Sequence, residues 1–146
     1  MGASHGGGAT LATMVAPQSG DKGFIAGVAL YPACAMDLGT WRADLSGVYA
    51  NFAPLYILIG EADDWTPAEH CRRLAEAAQR AGRPVAIKVY PGAHHSFDNT
   101  NPVRYVAGRI NPNAPSRRGA TIGGDPAAWA DSIREVTGFF DRQLGK

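Results

Sequence analysis

Side chains that could carry out acyl transfer occur in this sequence in the order serine, aspartate, histidine. Ser4 is the centre of a Gly-x-Ser-x-Gly motif at residues 2–6, and an apolar stretch that can continue as a helix follows it. The motif is typical of a nucleophile elbow, a sharp turn between a strand and a helix whose small neighbours let the serine hydroxyl project clear of the backbone. Ser4 is therefore the candidate nucleophile.

A serine nucleophile needs a base that takes its proton and an acid that orients the base. Asp63 and Asp64 follow one apolar segment of the chain, and His94 and His95 follow the next. If these segments are parallel strands, their carboxyl ends lie at one edge of a sheet, where the functional groups of open α/β sheets collect. The order Ser, Asp, His is that of the α/β hydrolases. The pattern thus predicts a hydrolase site built from the elbow and two strand-end loops.

Three apolar segments predict the strands of that sheet. Residues 24–31 form a continuous apolar run closed by Pro32, residues 55–59 give the strongest strand signal, and residues 85–90 form the third segment. An apolar run in which polar residues do not alternate with apolar ones is typical of a parallel strand that is buried on both faces. Together with the intervening helices, these strands predict the α/β class.

Two further helices are predicted beside the one that follows Ser4. The first is capped by Thr66, has Pro67 in its first turn and stops at Gly82. The second is capped by Asp125, and its apolar stripe is expected to pack on the sheet. The stripe consists of Trp129, Ile133, Val136, Phe140 and Leu144.

In three other segments the apolar residues show no regular spacing. Residues 17–23 are rich in turn residues, and residues 33–51 predict a loop with Trp41 and Tyr49 as packing residues. Residues 98–124 have many Asn, Pro, Gly and Arg residues, which indicates an ordered functional loop or a partly mobile segment.

The charge balance excludes two classes of partner. The chain has 14 Lys and Arg against 13 Asp and Glu, a net charge of +1, and no basic or acidic block. It therefore gives no support to nucleic-acid binding or to attraction by a membrane surface, and its apolar runs are too short for a membrane span.

The two cysteines allow two interpretations. Cys34 and Cys71 lack the Cys-x-x-Cys spacing of a zinc or redox site. We favour a pair of free, buried thiols, and the alternative is one disulfide, which would imply an oxidising compartment.

Three segments of the sequence resemble the dienelactone hydrolase family of α/β hydrolases. Residues 2–7 resemble the elbow of the family, residues 60–67 its acid loop, and residues 90–97 its histidine loop. The position of the family histidine relative to the loop phenylalanine selects His95 over its neighbour, and that of the acid relative to the loop proline selects Asp63. The similarity covers almost the whole chain.

The resemblance implies a partial α/β-hydrolase fold. In the family the elbow lies near the middle of a longer domain, whereas here it opens the chain. We therefore expect one domain over residues 1–146 that is truncated at its amino terminus, with a parallel sheet of about three strands flanked by helices and without the amino-terminal strands. Such a sheet would have an exposed edge through which the chain could form a homo-oligomer.

The resemblance also implies a mechanism. Ser4 would attack an ester carbonyl, His95 would carry its proton, and Asp63 would hold the imidazole. The backbone N–H of His5 would supply one oxyanion donor, and Trp65 is a candidate substrate-binding residue. Dienelactone hydrolases proper use cysteine as the nucleophile, so the serine favours small-molecule carboxylic esters or lactones as substrates, without a metal or another cofactor.

Structural or surface roles, and no part in catalysis, are expected for the remaining polar residues. Asp64 is expected to be a capping or surface acid, His94 a loop-packing residue and His70 part of a solvated helix face.

The alternative to an enzyme is a catalytically incomplete fragment that serves as a binding or oligomerisation module. The sequence leaves the compartment open between the cytoplasm and, if an upstream signal peptide has been lost, the periplasm or the exterior.

Overall fold

The computed structural model describes residues 1–15, 23–35 and 48–146. All but the last residue of the turn predicted at residues 17–23, and the part of the predicted loop that contains Trp41, lie outside the described residues. In the described part of the chain, no helix combines the length and the apolar character that crossing a membrane requires.

Within the described residues, four parallel strands form the main sheet and pair in the order in which they occur along the chain. They are β1 (Gly2–Ala3), β2 (Gly27–Leu30), β3 (Leu55–Gly60) and β4 (Val85–Tyr90). Every residue of β2 and β3 is buried, which explains why their segments are apolar without alternation. The predicted α/β class with a parallel sheet is confirmed, and the two-residue β1 adds a fourth strand to the three that the sequence predicts.

Helices flank this sheet. The described helices are α1 (His5–Thr13), α2 (Ala68–Arg80) and α3 (Pro126–Leu144). The Tyr49 hydroxyl packs on α1 and donates a hydrogen bond of 2.6 Å to the Leu11 carbonyl oxygen. Asp125 caps α3 as predicted, since its carboxylate accepts hydrogen bonds from two N–H groups of the first turn. The buried face of α2 consists of Ala68, Cys71, Leu74, Ala75 and Ala78.

The apolar stripe predicted on α3 is wrong for two of its five members. Ile133 is 56% exposed and Leu144 is 50% exposed. The physical reason is Lys88 on β4, which forms ion pairs with Asp131 and Glu135 and so brings a polar side of the helix toward the sheet. The buried residues of α3 are Ala128, Ser132 and Phe139.

Residues 98–124 contain a β-hairpin in place of an irregular loop. Its strands, β5 (Arg104–Ile110) and β6 (Arg118–Ile122), are antiparallel, with an irregular register between Val106 and Ile110. Nearly every residue of β5 is exposed, so no alternation of apolar and polar residues marks it as a strand in the sequence.

The expectation of two free thiols is wrong, because Cys34 and Cys71 form a disulfide. Cys34 follows the end of β2, and Cys71 lies in the first turn of α2. Their Cα atoms are 5.0 Å apart, although 37 positions separate them in the sequence. The pairing depends on how α2 packs beside the end of β2, which the spacing of the two cysteines does not reveal.

Candidate active site

Ser4 occupies a strained turn between β1 and α1. Its φ angle is 53°, which is unfavourable for a residue with a side chain. The turn is held because the Ser4 N–H donates a hydrogen bond of 3.0 Å to the Leu30 carbonyl oxygen. A Cβ atom on Gly2 would lie 2.2 Å from the Gly6 carbonyl oxygen, so the first glycine of the motif is required by space. The sequence therefore permits the sharp turn of an elbow because a glycine stands where a side chain would clash with the backbone.

His95 lies in the loop after β4, between the Ser4 hydroxyl and a carboxylate. Its Nε2 is 2.9 Å from Ser4 Oγ, and its Nδ1 is 2.8 Å from Asp63 Oδ2. The His95 side chain is 1% exposed and the Asp63 side chain is 0% exposed. The structure thus brings together three side chains that span 91 positions of the sequence.

Asp63 accepts three hydrogen bonds and also contacts the His95 ring. Its Oδ1 accepts from the backbone N–H groups of Trp65 and Thr66 at 3.0 and 2.8 Å. Its Oδ2 accepts from the Thr66 hydroxyl at 2.8 Å and lies at the same distance from His95 Nδ1. A buried carboxylate is costly unless its lone pairs are satisfied, so this set of donors allows a charged group to lie in the interior.

Backbone contacts fix the acid loop against the histidine loop. The Ala62 N–H donates a hydrogen bond of 3.0 Å to the Ala93 carbonyl oxygen, and Glu61 N–H donates to the Tyr90 carbonyl oxygen at 2.9 Å. A Cβ atom on Gly60 would lie 2.1 Å from the same oxygen of Ala93. A glycine at the end of β3 is therefore needed for the two loops to approach this closely.

Thr66 does not cap α2, contrary to the expectation from the sequence. The capping position is Pro67, which makes no side-chain cap hydrogen bond, and the Thr66 hydroxyl points to Asp63 and His95 instead. The physical reason is that Asp63 already accepts the N–H of Thr66 and leaves its hydroxyl free to bind the same carboxylate.

Two aromatic rings enclose the imidazole. The rings of Tyr31 and Trp65 lie 4.7 and 4.8 Å from the His95 ring, measured between centroids. The Tyr31 hydroxyl donates a hydrogen bond of 2.6 Å to Asp98 Oδ1. Burial and this hydrogen bond raise the pKa of the Tyr31 hydroxyl, which therefore stays a neutral donor. Sequence reasoning missed Tyr31, whose only signal is its place at the end of an apolar run before Pro32.

Trp65 connects the site to the hairpin. Its indole Nε1–H donates a hydrogen bond of 3.0 Å to the Ile110 carbonyl oxygen, and the Arg109 guanidinium lies 5.0 Å from the indole ring. The indole is half-buried and packs on His95. Its expected part in substrate binding stays a prediction.

The hairpin also contacts the loops that carry Asp63 and His95. Thr121 donates to Asp64 through its N–H and its hydroxyl, each at 2.8 Å. The Gly123 N–H donates to the His95 carbonyl oxygen at 3.1 Å. Asp64 is thus an exposed acid that binds the hairpin and makes no contact with the imidazole.

The other predicted residues lie at the edge of this site. His5 is the first residue of α1, so its N–H is among the four that have no acceptor within the helix. His94 is half-buried, and its Nδ1 lies 2.9 Å from the Ala62 carbonyl oxygen. Among the described residues, no group of three or more His, Cys, Asp or Glu side chains has an arrangement that could hold a metal ion.

The sequence matches the model of the dienelactone hydrolase family over residues 6–144. This range includes Asp63 and His95 and begins after Ser4. No curated protein matches the sequence.

Solved α/β hydrolases share the fold. A putative dienelactone hydrolase from Klebsiella pneumoniae subsp. pneumoniae MGH 78578 is 19% identical, with a TM-score of 0.59 over 92% of this chain and 48% of that one. Esterase 2 of Thermogutta terrifontis, phosphorylated by paraoxon, is 20% identical, with a TM-score of 0.61 over 99% of this chain and 52% of that one. An α/β hydrolase from a Medee basin deep-sea metagenome library is 19% identical, with a TM-score of 0.56 over 99% and 53%. The chain spans about half the length of these structures.

Proposed function

The chain belongs to the dienelactone hydrolase family, and we propose that it hydrolyses small-molecule carboxylic esters or lactones through an acyl-enzyme intermediate. The observation that carries the proposal is the hydrogen-bonded row from Ser4 Oγ through the His95 ring to Asp63. Each contact is within hydrogen-bonding distance, as proton transfer requires.

In the first half of the reaction, Ser4 Oγ attacks the ester carbonyl carbon while its proton moves to His95 Nε2. The carbonyl oxygen becomes an oxyanion, which the N–H of His5 at the start of α1 stabilises. When the tetrahedral intermediate collapses, the bond to the leaving oxygen breaks and His95 returns the proton to that oxygen. Asp63 stays ionised and stabilises the imidazolium between these transfers.

In the second half, water replaces the alcohol. His95 Nε2 takes a proton from the water, whose oxygen attacks the acyl carbon, and the proton then passes to Ser4 Oγ as the ester bond to the enzyme breaks. The products are the carboxylic acid and the free serine. Every group that moves a proton in this scheme belongs to the chain, the substrate or water.

A non-catalytic binding or oligomerisation module is the second candidate. The observation that favours it is that the chain spans about half the length of the solved structures it resembles. Association through an exposed edge of the sheet is part of this second candidate.

A fluorophosphonate probe and a p-nitrophenyl acetate assay separate the two candidates. We expect the probe to label the full chain, and we expect Ser4→Ala to abolish labelling and to lower ester hydrolysis by about 10³-fold or more. Ser116→Ala is the matched control, because Ser116 is an exposed serine of the hairpin and its removal should leave both readouts unchanged. A folded chain that neither reacts with the probe nor hydrolyses the ester would favour the module.

A further inference from the structure

We propose that Thr66 is a positioning residue whose hydroxyl, shared between Asp63 and His95, reinforces the tautomer of His95 that Asp63 favours. The role rests on the proposed function, since it prepares His95 to act as a base. Thr66 Oγ1 lies 2.8 Å from Asp63 Oδ2, 3.1 Å from His95 Nδ1 and 3.2 Å from the Tyr31 carbonyl oxygen. One hydroxyl thus touches the acid, the imidazole and the end of β2.

The number of protons available decides what these contacts mean. A hydroxyl has one proton to donate and can accept with its lone pairs. The Asp63 carboxylate and the Tyr31 carbonyl can only accept. The contact with Asp63 is the shortest that the hydroxyl makes and its acceptor is charged, which favours donation of the Thr66 proton to Asp63. His95 Nδ1 must then be the donor in its contact with Thr66 Oγ1.

This assignment determines the tautomer of the neutral imidazole. With a proton on Nδ1, the ring donates to Asp63 Oδ2 and Thr66 Oγ1 together. Its Nε2 then carries a lone pair that faces Ser4 Oγ at 2.9 Å, as a base requires. The opposite tautomer would place the Nδ1 lone pair 2.8 Å from the carboxylate, where the two would repel each other.

The surroundings hold the threonine in place. Its N–H donates to Asp63 Oδ1 at 2.8 Å, so backbone and side chain both bind one carboxylate. The Tyr31 carbonyl that it approaches belongs to a residue with a φ angle of 37°, an unfavourable conformation at the end of β2. Because Thr66 does not cap α2, its hydroxyl has no competing role in the helix.

The test compares Thr66→Val, which keeps the shape and removes the hydroxyl, with Thr66→Ser, which keeps the hydroxyl. We expect Thr66→Val to lower kcat for p-nitrophenyl acetate about tenfold with KM unchanged, and Thr66→Ser to restore kcat to within about threefold. Thr121→Val is the matched control, because Thr121 makes the same kind of hydroxyl contact with the neighbouring Asp64. It should behave as the wild type.

A second readout does not depend on turnover. In ¹⁵N-edited NMR of the full chain, we expect the His95 Nδ1–H resonance to be present in the wild type, shifted or lost in Thr66→Val, and restored in Thr66→Ser. This pattern in a chain without esterase activity would support the positioning role and count against the proposed function. Wild-type kcat and an unchanged resonance in Thr66→Val would overturn the positioning role. Equal impairment of the Val and Ser variants would overturn it too, because it would assign the effect to packing.

Discussion

The strand-end site, formed by Ser4, Asp63 and His95, and the hairpin of β5 and β6 meet at two consecutive carboxylates. Asp63 is 3% exposed and accepts hydrogen bonds from the acid loop and from His95. Asp64 is exposed and accepts from the hairpin through Thr121. One residue type therefore serves two regions that differ in exposure to water.

The difference teaches how burial sets the value of a polar contact. In the strand-end site, removing one partner leaves a buried polar group unsatisfied, which costs the full desolvation penalty of that group. In the hairpin, water replaces a lost partner, so each contact is worth about 1 kcal/mol or less. The two regions should thus respond very differently to the same substitution.

The largest expected difference is between Asp63→Asn and Asp64→Asn. An amide at position 63 can present a donor to His95 Nδ1 and so favour the wrong tautomer, which should lower kcat/KM for p-nitrophenyl acetate by about 10³-fold or more. The same change at position 64 keeps one acceptor for Thr121 and should cost less than about threefold. Equal losses in two variants that melt like the wild type would contradict the separation of the regions.

The next difference concerns folding stability, measured by urea unfolding. Gly60→Ala would force a Cβ atom within 2.1 Å of the Ala93 carbonyl oxygen where the acid and histidine loops meet, and we expect a loss of about 3 kcal/mol or a failure to fold. Gly108→Ala in the hairpin meets no atom within 4 Å and should change the free energy of unfolding by less than about 0.5 kcal/mol. A tolerated Gly60→Ala would show that the loops can separate.

The smallest effect is expected for the ion pairs of Lys88. Their side chains are more exposed than those of the strand-end site and less exposed than most of the hairpin. The hydrogen bond from Lys88 lowers the pKa of Asp131 and of Glu135 below their ordinary values of 3.8 and 4.5. Their contribution to stability is present above those values and is lost as the pH falls through the lowered ones. Lys88→Met should therefore remove about 1 kcal/mol at pH 7 and flatten the acid limb of the stability curve.

Arg73→Met is the control for this experiment. Arg73 pairs with Glu69 on the surface of α2, where its side chain is 73% exposed, so its removal should cost less than about 0.5 kcal/mol. Thermal melts between pH 2 and 7 provide the measurement. If the two variants lose the same stability at every pH, partial burial adds nothing to the Lys88 pairs.

Much of the sheet was predictable because its signals are local. The apolar runs of β3 and β4 and the Asp125 cap of α3 are each written in a few adjacent residues. The hairpin escaped prediction because β5 packs little of its surface, and therefore carries no apolar period. The buried face of α3 was misplaced because Lys88, a residue of another element, decides which side of the helix turns inward.

The same distinction between local signals and contacts with distant elements applies to the site. The motifs around Ser4, Asp63 and His95 could be identified in the sequence, because glycine or proline residues mark the turns and loops that contain them. The positions of Thr66 and Tyr31 beside the imidazole could not, since both depend on how the end of β2 approaches the acid loop. No spacing within one segment encodes that approach.

By itself, the sequence determined the parallel strands, the elbow and the order of the three polar side chains, because apolar runs and glycine-restricted turns act over a few residues. Only the tertiary structure decided that Cys34 meets Cys71 and which groups share the Thr66 hydroxyl. Those pairings are set by the register of neighbouring strands and by the packing of loops at their carboxyl ends, which bring distant residues together.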